Sequence, residues 1–514
     1  MTNMKMIIGK ERIEKLLGQL FPICEMWIEE IDGLTYFVDP IDGEEISAHY
    51  GATHMAAAMI LYGKMKHQQP MYDKGISLLN SIIDRWNQNK TLPAFHFDFN
   101  NFALCVIEDV VKEENSTLAS RIRQIVLQTA DSNHNTTNWL PMRWFVNKQR
   151  YKWTDDDKYQ KICKSCRQQI EKATNVDGGI EDRMPKGLSF NLQYDVATVG
   201  VLQYLRIKGE DYDLTKELSF LLNAVAPDGD INYQGRGTNQ IFAWSLWLYI
   251  LATSYNEGYL AIAMDYLEPK VVVMFQRNNL MLNEWDGIDK YLWWDYHYCS
   301  VYCAHFLLWL VLALYDYGKM EIAPVKEVKA NDSGLELFKT KETFVAVFSG
   351  RSEYLSEKGP VVSAIWMKKH GTIMKGTFGP WQGEFGRFYS NRTVENNWLG
   401  LIEISDYLDI YPSFIRRFLN RFKVKSVVRC LNKYYPSNVV AKSDSIIIEY
   451  INKGNNAVLN IPIFESGNSV HVGLEIDGVK TPLIEIARIK NQYGWSRILQ
   501  SRPSGGYMWK LIFM

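Results

Sequence analysis

Between about residue 9 and residue 318 apolar positions recur at helical spacing, run after run, with polar breaks between the runs. Ile13, Leu16, Leu17 and Leu20 set the first stripe, and the small-residue run Met55, Ala56, Ala57, Ala58 opens a second. Helical periodicity continues at 73–86, from the aromatic-polar stretch 95–101, and at 116–130, 155–173, 191–205, 214–224, 240–255, 259–267 and 299–317. This is roughly ten helices, in alternating apolar pairs, with polar and aromatic loops on one side. The pattern predicts a toroid of helical hairpins, an incomplete (α/α) barrel, whose loops at one end meet over a central cleft.

Past Ala323 and Pro324 the period shortens to two. Strand character appears at 335–338, 343–348, 361–367, 400–404, 424–430, 445–451, 457–461, 470–474 and 508–513. Turns such as Asp477-Gly478 separate these runs. The expected architecture is therefore a helical toroid over residues 1–322 followed by an antiparallel β-sandwich over 323–514.

Composition changes this picture in a few places. A net charge of -1 gives the chain no general field for nucleic acid, so an anionic ligand must be met by local cations. The 16 Trp and 29 Tyr suit a sugar cleft, where ring C–H faces lie on aromatic faces; a large helical core uses them equally well. Seven cysteines without a repeating framework predict reduced thiols, and the Cys163/Cys166 pair sits in a charged helical stretch with no second pair to complete a zinc site. The apolar run 306–315 is too short for a membrane span and reads as a buried helix. The first residues are broken by Lys and Glu and do not read as a signal peptide, which predicts a cytoplasmic protein. Walker, Rossmann and G-x-S-x-G patterns do not occur.

Three stretches carry candidate chemistry. In 228–240, Asp228-Gly229 reads as a turn, Gly235 and Gly237 flank Arg236 and allow positive φ, and Thr238 or Asn239 reads as the cap of the next helix. Around 135–153, Asn138-Trp139 precedes a mixture of basic and aromatic residues, Arg143, Trp144, Lys148, Arg150, Tyr151, Lys152 and Trp153. Around 177–195, an Asp177-Gly178 turn is followed by Tyr194 and Asp195.

A toroid followed by a sandwich, with Asn-Trp on an interhelical loop and a tyrosine after an Asp-Gly turn, resembles the polysaccharide lyases of the heparinase II/III, alginate lyase and chondroitin/hyaluronate lyase groups. The resemblance implies β-elimination beside a uronic acid: a carboxylate neutralised, a base at carbon 5, and a proton for the leaving oxygen. It implies that Asn138 binds the carboxylate, Trp139 forms a sugar platform, Tyr194 is the base and acid, and Arg236 lowers the phenol's pKa from about 10. Tyr233 is a second candidate phenol. The chain departs from the pattern in lacking a histidine between Asp177 and Tyr194; His297 is the first candidate to replace it, then His96 and His134. Arg143, Trp144, Lys148, Gln240, Trp294, Trp381 and Arg387 complete the expected substrate contacts. The expected ligand is an anionic polysaccharide or oligosaccharide, with no cofactor and no metal. Two other readings stay open: a glycoside hydrolase using two of Glu181, Asp182, Asp195, Asp228 and Asp230, and a non-catalytic glycan-binding or capsule-assembly protein.

Overall fold

The computed structural model of the chain describes residues 2–89, 96–133, 136–184, 187–235, 237–254, 256–279, 282, 298–320, 332–349, 362–375, 436–452, 459–465, 469–491 and 493–514. Among them the helices are α1 (Thr2–Glu25), α2 (Gly51–Met65), α3 (Gln69–Asn89), α4 (Phe97–Val111), α5 (Ser116–Gln128) and α6 (Leu140–Thr154). They continue as α7 (Asp157–Ala173), α8 (Leu192–Ile207), α9 (Thr215–Ala224), α10 (Phe242–Thr253), α11 (Glu257–Gln276) and α12 (Cys299–Tyr315).

The even-numbered helices form an inner ring: α2 packs on α4, α4 on α6, α6 on α8, α8 on α10, α10 on α12, and α12 back on α2. The odd-numbered helices form an outer layer, α3 on α2, α5 on α4, α7 on α6, α9 on α8, α11 on α10 and α1 on α12. The ring therefore closes, where the sequence predicts an incomplete one. Hairpin periodicity shows which face each helix buries, but closure depends on the meeting of α2 with α12, elements at opposite ends of the helical region. Burial follows the layers. Every residue of α10 is buried and α12 is buried through Leu314, as befits helices that are apolar all round. The outer α5 and α7 bury single stripes.

Helix α11 runs well beyond the expected 259–267 stretch, through Pro269 to Gln276. A proline costs an interior hydrogen bond; the burial of Leu267, Val271, Met274 and Phe275 against the core outweighs it. Two hairpins interrupt the helical series, β1 (Ile28–Ile31) with β2 (Leu34–Phe37), and β3 (Glu181–Met184) with β4 (Gly187–Phe190). Neither is evident from hydrophobic periodicity, because each strand has only four residues.

The remaining elements are β5 (Leu335–Lys339), β6 (Thr343–Phe348), β7 (Val362–Met367), β8 (Gly371–Lys375), β9 (Asn438–Ala441) and β10 (Ile446–Ile451). They end with β11 (Asn460–Phe464), β12 (Val472–Ile476), β13 (Val479–Thr481), β14 (Leu483–Asn491), β15 (Gly494–Ser501) and β16 (Met508–Phe513). All pair antiparallel, in sheets ordered β5-β6-β7-β8, β13-β12-β16-β10-β9 and β11-β15-β14. The strands expected at 457–461 and 470–474 begin later, at Asn460 and Val472, and those expected at 400–404 and 424–430 lie outside the described residues.

Strand β6 shows how the two halves of the chain join. Its residues alternate between faces. Phe344, Ala346 and Phe348 belong to the core of the helical ring, whereas Val345 and Val347 pack with Ile446, Ile448, Leu474, Leu511 and Phe513 of the other sheets. The four-stranded sheet thus lies between the ring and the other strands.

Candidate functional site at the mouth of the helical ring

Each inner helix follows an outer one, and residues at the starts of the inner helices contact one another, so their amino termini gather at one end of the ring. The segments entering these helices are long, while connectors at the far end are short, two residues between α6 and α7. The gathered termini direct partial positive charge and backbone N–H groups toward the opening, which favours an anionic ligand there.

The residues at these entries are aromatic or amide-bearing. His49 and Tyr50 precede α2, His96 caps α4, and Asn138 and Trp139 lie in a single 3-10 turn ahead of α6. Asn191 caps α8 by accepting the Gln193 N–H at 3.0 Å, which sets Tyr194 in the first turn; Tyr298 precedes α12. Their rings form a continuous wall. His49 stands 4.1 Å from His96 and 4.3 Å from Tyr298 between centroids, and His96 stands 5.4 Å from Trp139. Phe99 meets Trp139 edge-on at 5.4 Å and Tyr50 face-on at 4.4 Å. Phe242 lies 6.4 Å from Tyr194 and 6.1 Å from Tyr302. Within this wall His49, Tyr194 and Tyr298 are only half-buried, so they line the opening.

The protonation states follow from partners and depth. His96 Nδ1 lies 2.9 Å from the carbonyl oxygen of Ala48. A carbonyl only accepts, so Nδ1 carries the hydrogen. Below the wall, His54 donates from Nδ1 to Tyr50 O at 2.9 Å, and burial pushes its pKa down to about 3. His305, stacked on Phe242 at 4.5 Å, is held well below the usual range by burial and by the neighbouring His54. Both rings are neutral. The Tyr50 phenol is raised by burial and by the nearby Tyr194.

Asn138 gives its backbone N–H to Asp182 Oδ1 at 3.3 Å, while its side-chain Oδ1 is buried with no hydrogen-bond partner among the described residues. Trp139, not Asn138, occupies the cap position of α6, so the Asn138 amide does not serve as a helix cap.

Other expected site residues stand elsewhere. Arg143 is buried, with Nη2 2.8 Å from Asp98 Oδ2 and 2.9 Å from Ser132 O. It shapes the loop that ends in Asn138 rather than facing a ligand. Trp144 and Lys148 turn outward, lining with Tyr151, Lys161 and Lys164 a groove of about 590 Å³ between α6 and α7. Positions 144, 148 and 151 share one helical face, which a linear reading of mixed charge and aromaticity does not resolve. Lys148 pairs there with Glu210 at 2.5 Å. Tyr233 is fully buried and donates its hydroxyl to Ala224 O at 2.7 Å, so it offers no phenol to the opening. Gln240 is also buried. Arg236, Trp294, His297, Trp381 and Arg387, with His134, lie outside the described residues.

In the 228–240 loop, Gly229, Gly235 and Gly237 have φ of 96°, 89° and 74°. Gly237 lies against the Gln193 side chain, and its φ of 74° is what favours glycine there. Neither Thr238 nor Asn239 caps α10; Ile241 holds that position, and Asn239, at φ 62°, donates its amide to Leu282 O at 2.8 Å.

His49, Phe99, Phe242 and Tyr298 were not among the residues expected from sequence. Their signal was positional: His49-Tyr50, Asn138-Trp139 and Tyr298 occupy the same place ahead of alternate helices.

Three of the five candidate acids are paired or buried. Asp228 and Asp230 both pair with Lys375, at 2.5 and 3.1 Å. Asp195 is fully buried, accepts the Ile180 N–H at 3.1 Å, and is raised well above the usual carboxylate range by burial. Among the described residues no group of three or more His, Cys, Asp or Glu is placed to hold a metal ion, and no helix is long and apolar enough to cross a membrane.

No family model and no curated protein matches the chain. Solved structures do. One is the GH76A α-1,6-mannanase of Salegentibacter sp. HEL1_6, at 13% identity and TM-score 0.41, covering 60% of this chain and 99% of that one. A polysaccharide lyase matches at 10% identity and TM-score 0.39, over 59% of this chain and 96% of its own. An unsaturated glucuronyl hydrolase variant from Streptococcus agalactiae matches at 13% and 0.40, over 60% and 92%. At these values the likeness transfers no chemistry to this chain.

Proposed function

We propose that the chain is a glycan-processing enzyme, a polysaccharide lyase that cleaves beside a uronic acid by β-elimination at the mouth of the ring. The observation that carries this reading is the convergence of Asn138, Trp139, His96, His49 and the half-buried Tyr194 on one opening rimmed by helix amino termini. An amide and positive helix ends suit a sugar carboxylate, and the rings suit its apolar faces. The Tyr194 oxygen takes the proton from carbon 5 while Asn138 hydrogen-bonds the carboxylate. The electron pair left behind forms the double bond between carbons 4 and 5 as the bond from carbon 4 to the glycosidic oxygen breaks. That oxygen receives the proton from Tyr194. Arg236 and His297 are proposed as further contributors.

Hydrolysis is the competing reading. A glycosidase needs two carboxyl groups about 5–9.5 Å apart across the scissile bond. Of the five acids expected for that role, Asp228 and Asp230 are paired to Lys375 and Asp195 is fully buried, which leaves Glu181 and Asp182 as the two that a hydrolase reading would use.

The test is ultraviolet absorbance during incubation with glycosaminoglycans, alginate, glucuronan and bacterial capsules. Elimination leaves a conjugated double bond, so absorbance should rise, and Tyr194→Phe should abolish the rise while keeping the fold. New reducing ends without absorbance would overturn the lyase reading in favour of hydrolysis. Silence in both assays, with glycan affinity that survives Tyr194→Phe, would leave a binding protein.

A further inference from the structure

The β half reaches the mouth through a buried ionic cluster that the proposed chemistry does not use. Lys375, at the end of β8, is 2% exposed in its side chain. Its Nζ meets Asp228 Oδ2 at 2.5 Å and Asp230 Oδ2 at 3.1 Å. Thr372 adds a hydroxyl to Asp228 Oδ2 at 2.8 Å. From the turn between β14 and β15, the Tyr493 hydroxyl lies 2.8 Å from Asp230 Oδ2 and 2.6 Å from the carbonyl oxygen of Asn232. Tyr266 of α11 contacts the same Asp230 oxygen at 3.4 Å. Lys375 and Asp230 are buried and Asp228 is partly exposed; a buried lysine and aspartate are costly to desolvate, and the cluster persists because each member has partners.

From this cluster a chain of hydrogen bonds leads to the first turn of α8. Asp230 Oδ1 accepts the N–H of Asn232 at 2.7 Å. The Asn232 amide donates to Gln193 Oε1 at 3.3 Å and to the carbonyls of Gly237 and Gln240 at 2.9 and 3.1 Å. Gln234 Oε1 accepts the N–H of Leu192 at 3.3 Å. Leu192 and Gln193 are the two residues before Tyr194 in the first turn of α8. Gly235 and Gly237 lie against the side chains of Asn191 and Gln193 at that turn.

We propose that Lys375 and Tyr493 are positioning residues for Tyr194: the β half fixes the 228–240 loop, and the loop fixes the first turn of α8. The catalytic arm of this proposal rests on the lyase reading; the mechanical arm does not. The β half is then part of the mouth rather than an appended module, although none of its described residues enters the aromatic wall.

The experiment is hydrogen exchange read by mass spectrometry on the full chain, comparing wild type with Tyr493→Phe and Lys375→Met. Tyr493→Phe removes one hydroxyl and keeps the ring, so it tests the coupling even if Lys375→Met fails to fold. The expected result is exchange at least about fivefold faster in peptides spanning 228–240 and 190–196, with α2 and α4 unchanged. Unchanged exchange at 190–196 in Tyr493→Phe would overturn the proposal. On a substrate that wild type cleaves, Tyr493→Phe should lower kcat about tenfold or more with KM within about twofold; equal kcat would also overturn it. If wild type cleaves no glycan, the lyase reading fails, and the exchange data still decide the coupling.

Discussion

Asp39 caps the helix that closes the ring: its Oδ2 accepts the backbone N–H of Ser300 at 2.7 Å and the Ser300 hydroxyl at 2.8 Å. Asp39 lies ahead of α2 and Ser300 in the first turn of α12, so one carboxylate ties together the two helices whose packing completes the circle. Its Oδ1 also accepts the Ile41 N–H at 2.9 Å. Asp39→Ala leaves buried donors unsatisfied and should cost about 2–3 kcal/mol. The check is the midpoint of thermal or denaturant unfolding, with Ser300→Ala expected to cost less because the backbone N–H bond remains.

The pairing of Arg143 with Asp98 predicts a structural defect on mutation rather than a loss of ligand affinity alone. The pair is buried, with side chains 8% and 0% exposed. Arg143→Met would leave Asp98 without its cation and should destabilise by about 3–5 kcal/mol. Asp98 is already pushed up to about 6 by burial, against the pull of Arg143. The double variant Arg143→Met/Asp98→Leu should recover much of the lost stability, measured as the unfolding midpoint. Failure to recover would argue that Arg143 acts outside this pair.

Glu217, buried in the first turn of α9, has its carboxyl raised by burial to about 7. A carboxyl whose folded pKa exceeds its unfolded value of about 4.5 gives stability that is complete below that value and is lost as pH rises through 7. Glu217→Gln should therefore raise Tm at pH 8 relative to wild type and make little difference at pH 4.5. A thermal series across that range checks it.

His54 and His305 act on the acid side. Their folded pKa values lie below the unfolded value, His54 at about 3, so their contribution is present above about 6.5 and is lost as pH falls toward 3. Replacing His305 with Phe, which suits its stack on Phe242, should flatten the fall in Tm between pH 6.5 and 4. The same slope in wild type and variant would refute this assignment.

Trp139 offers a fifth point of attack. Its ring lies between His96 and Phe99, 5.4 Å from each. On a substrate that the protein cleaves, Trp139→Ala should raise KM about two- to tenfold, since stacking on an aromatic side chain contributes about 0.5–1.5 kcal/mol beyond burial. Steady-state kinetics separate this from the kcat effect expected of Tyr194→Phe.

Much of the fold could be read from the chain alone. Periods of 3.6 and then 2 separated helices from strands, because each element buries one face and the face repeats with the backbone's own geometry. The turns at Gly229, Gly235 and Gly237 were equally legible, since positive φ is cheap only for glycine and its near neighbours. Asn138, Trp139 and Tyr194 stood out locally as polar or aromatic residues at helix entries. Tertiary structure decided what local pattern does not carry. It closed the ring through α2 and α12, and set Arg143 against Asp98 while turning Trp144 and Lys148 to the outer groove. It sealed Tyr233 in the core and joined His49 to His96 across 47 positions of sequence. These outcomes depend on which elements become neighbours. That choice follows from the summed packing of faces far apart in the chain, which periodicity within a single element does not encode.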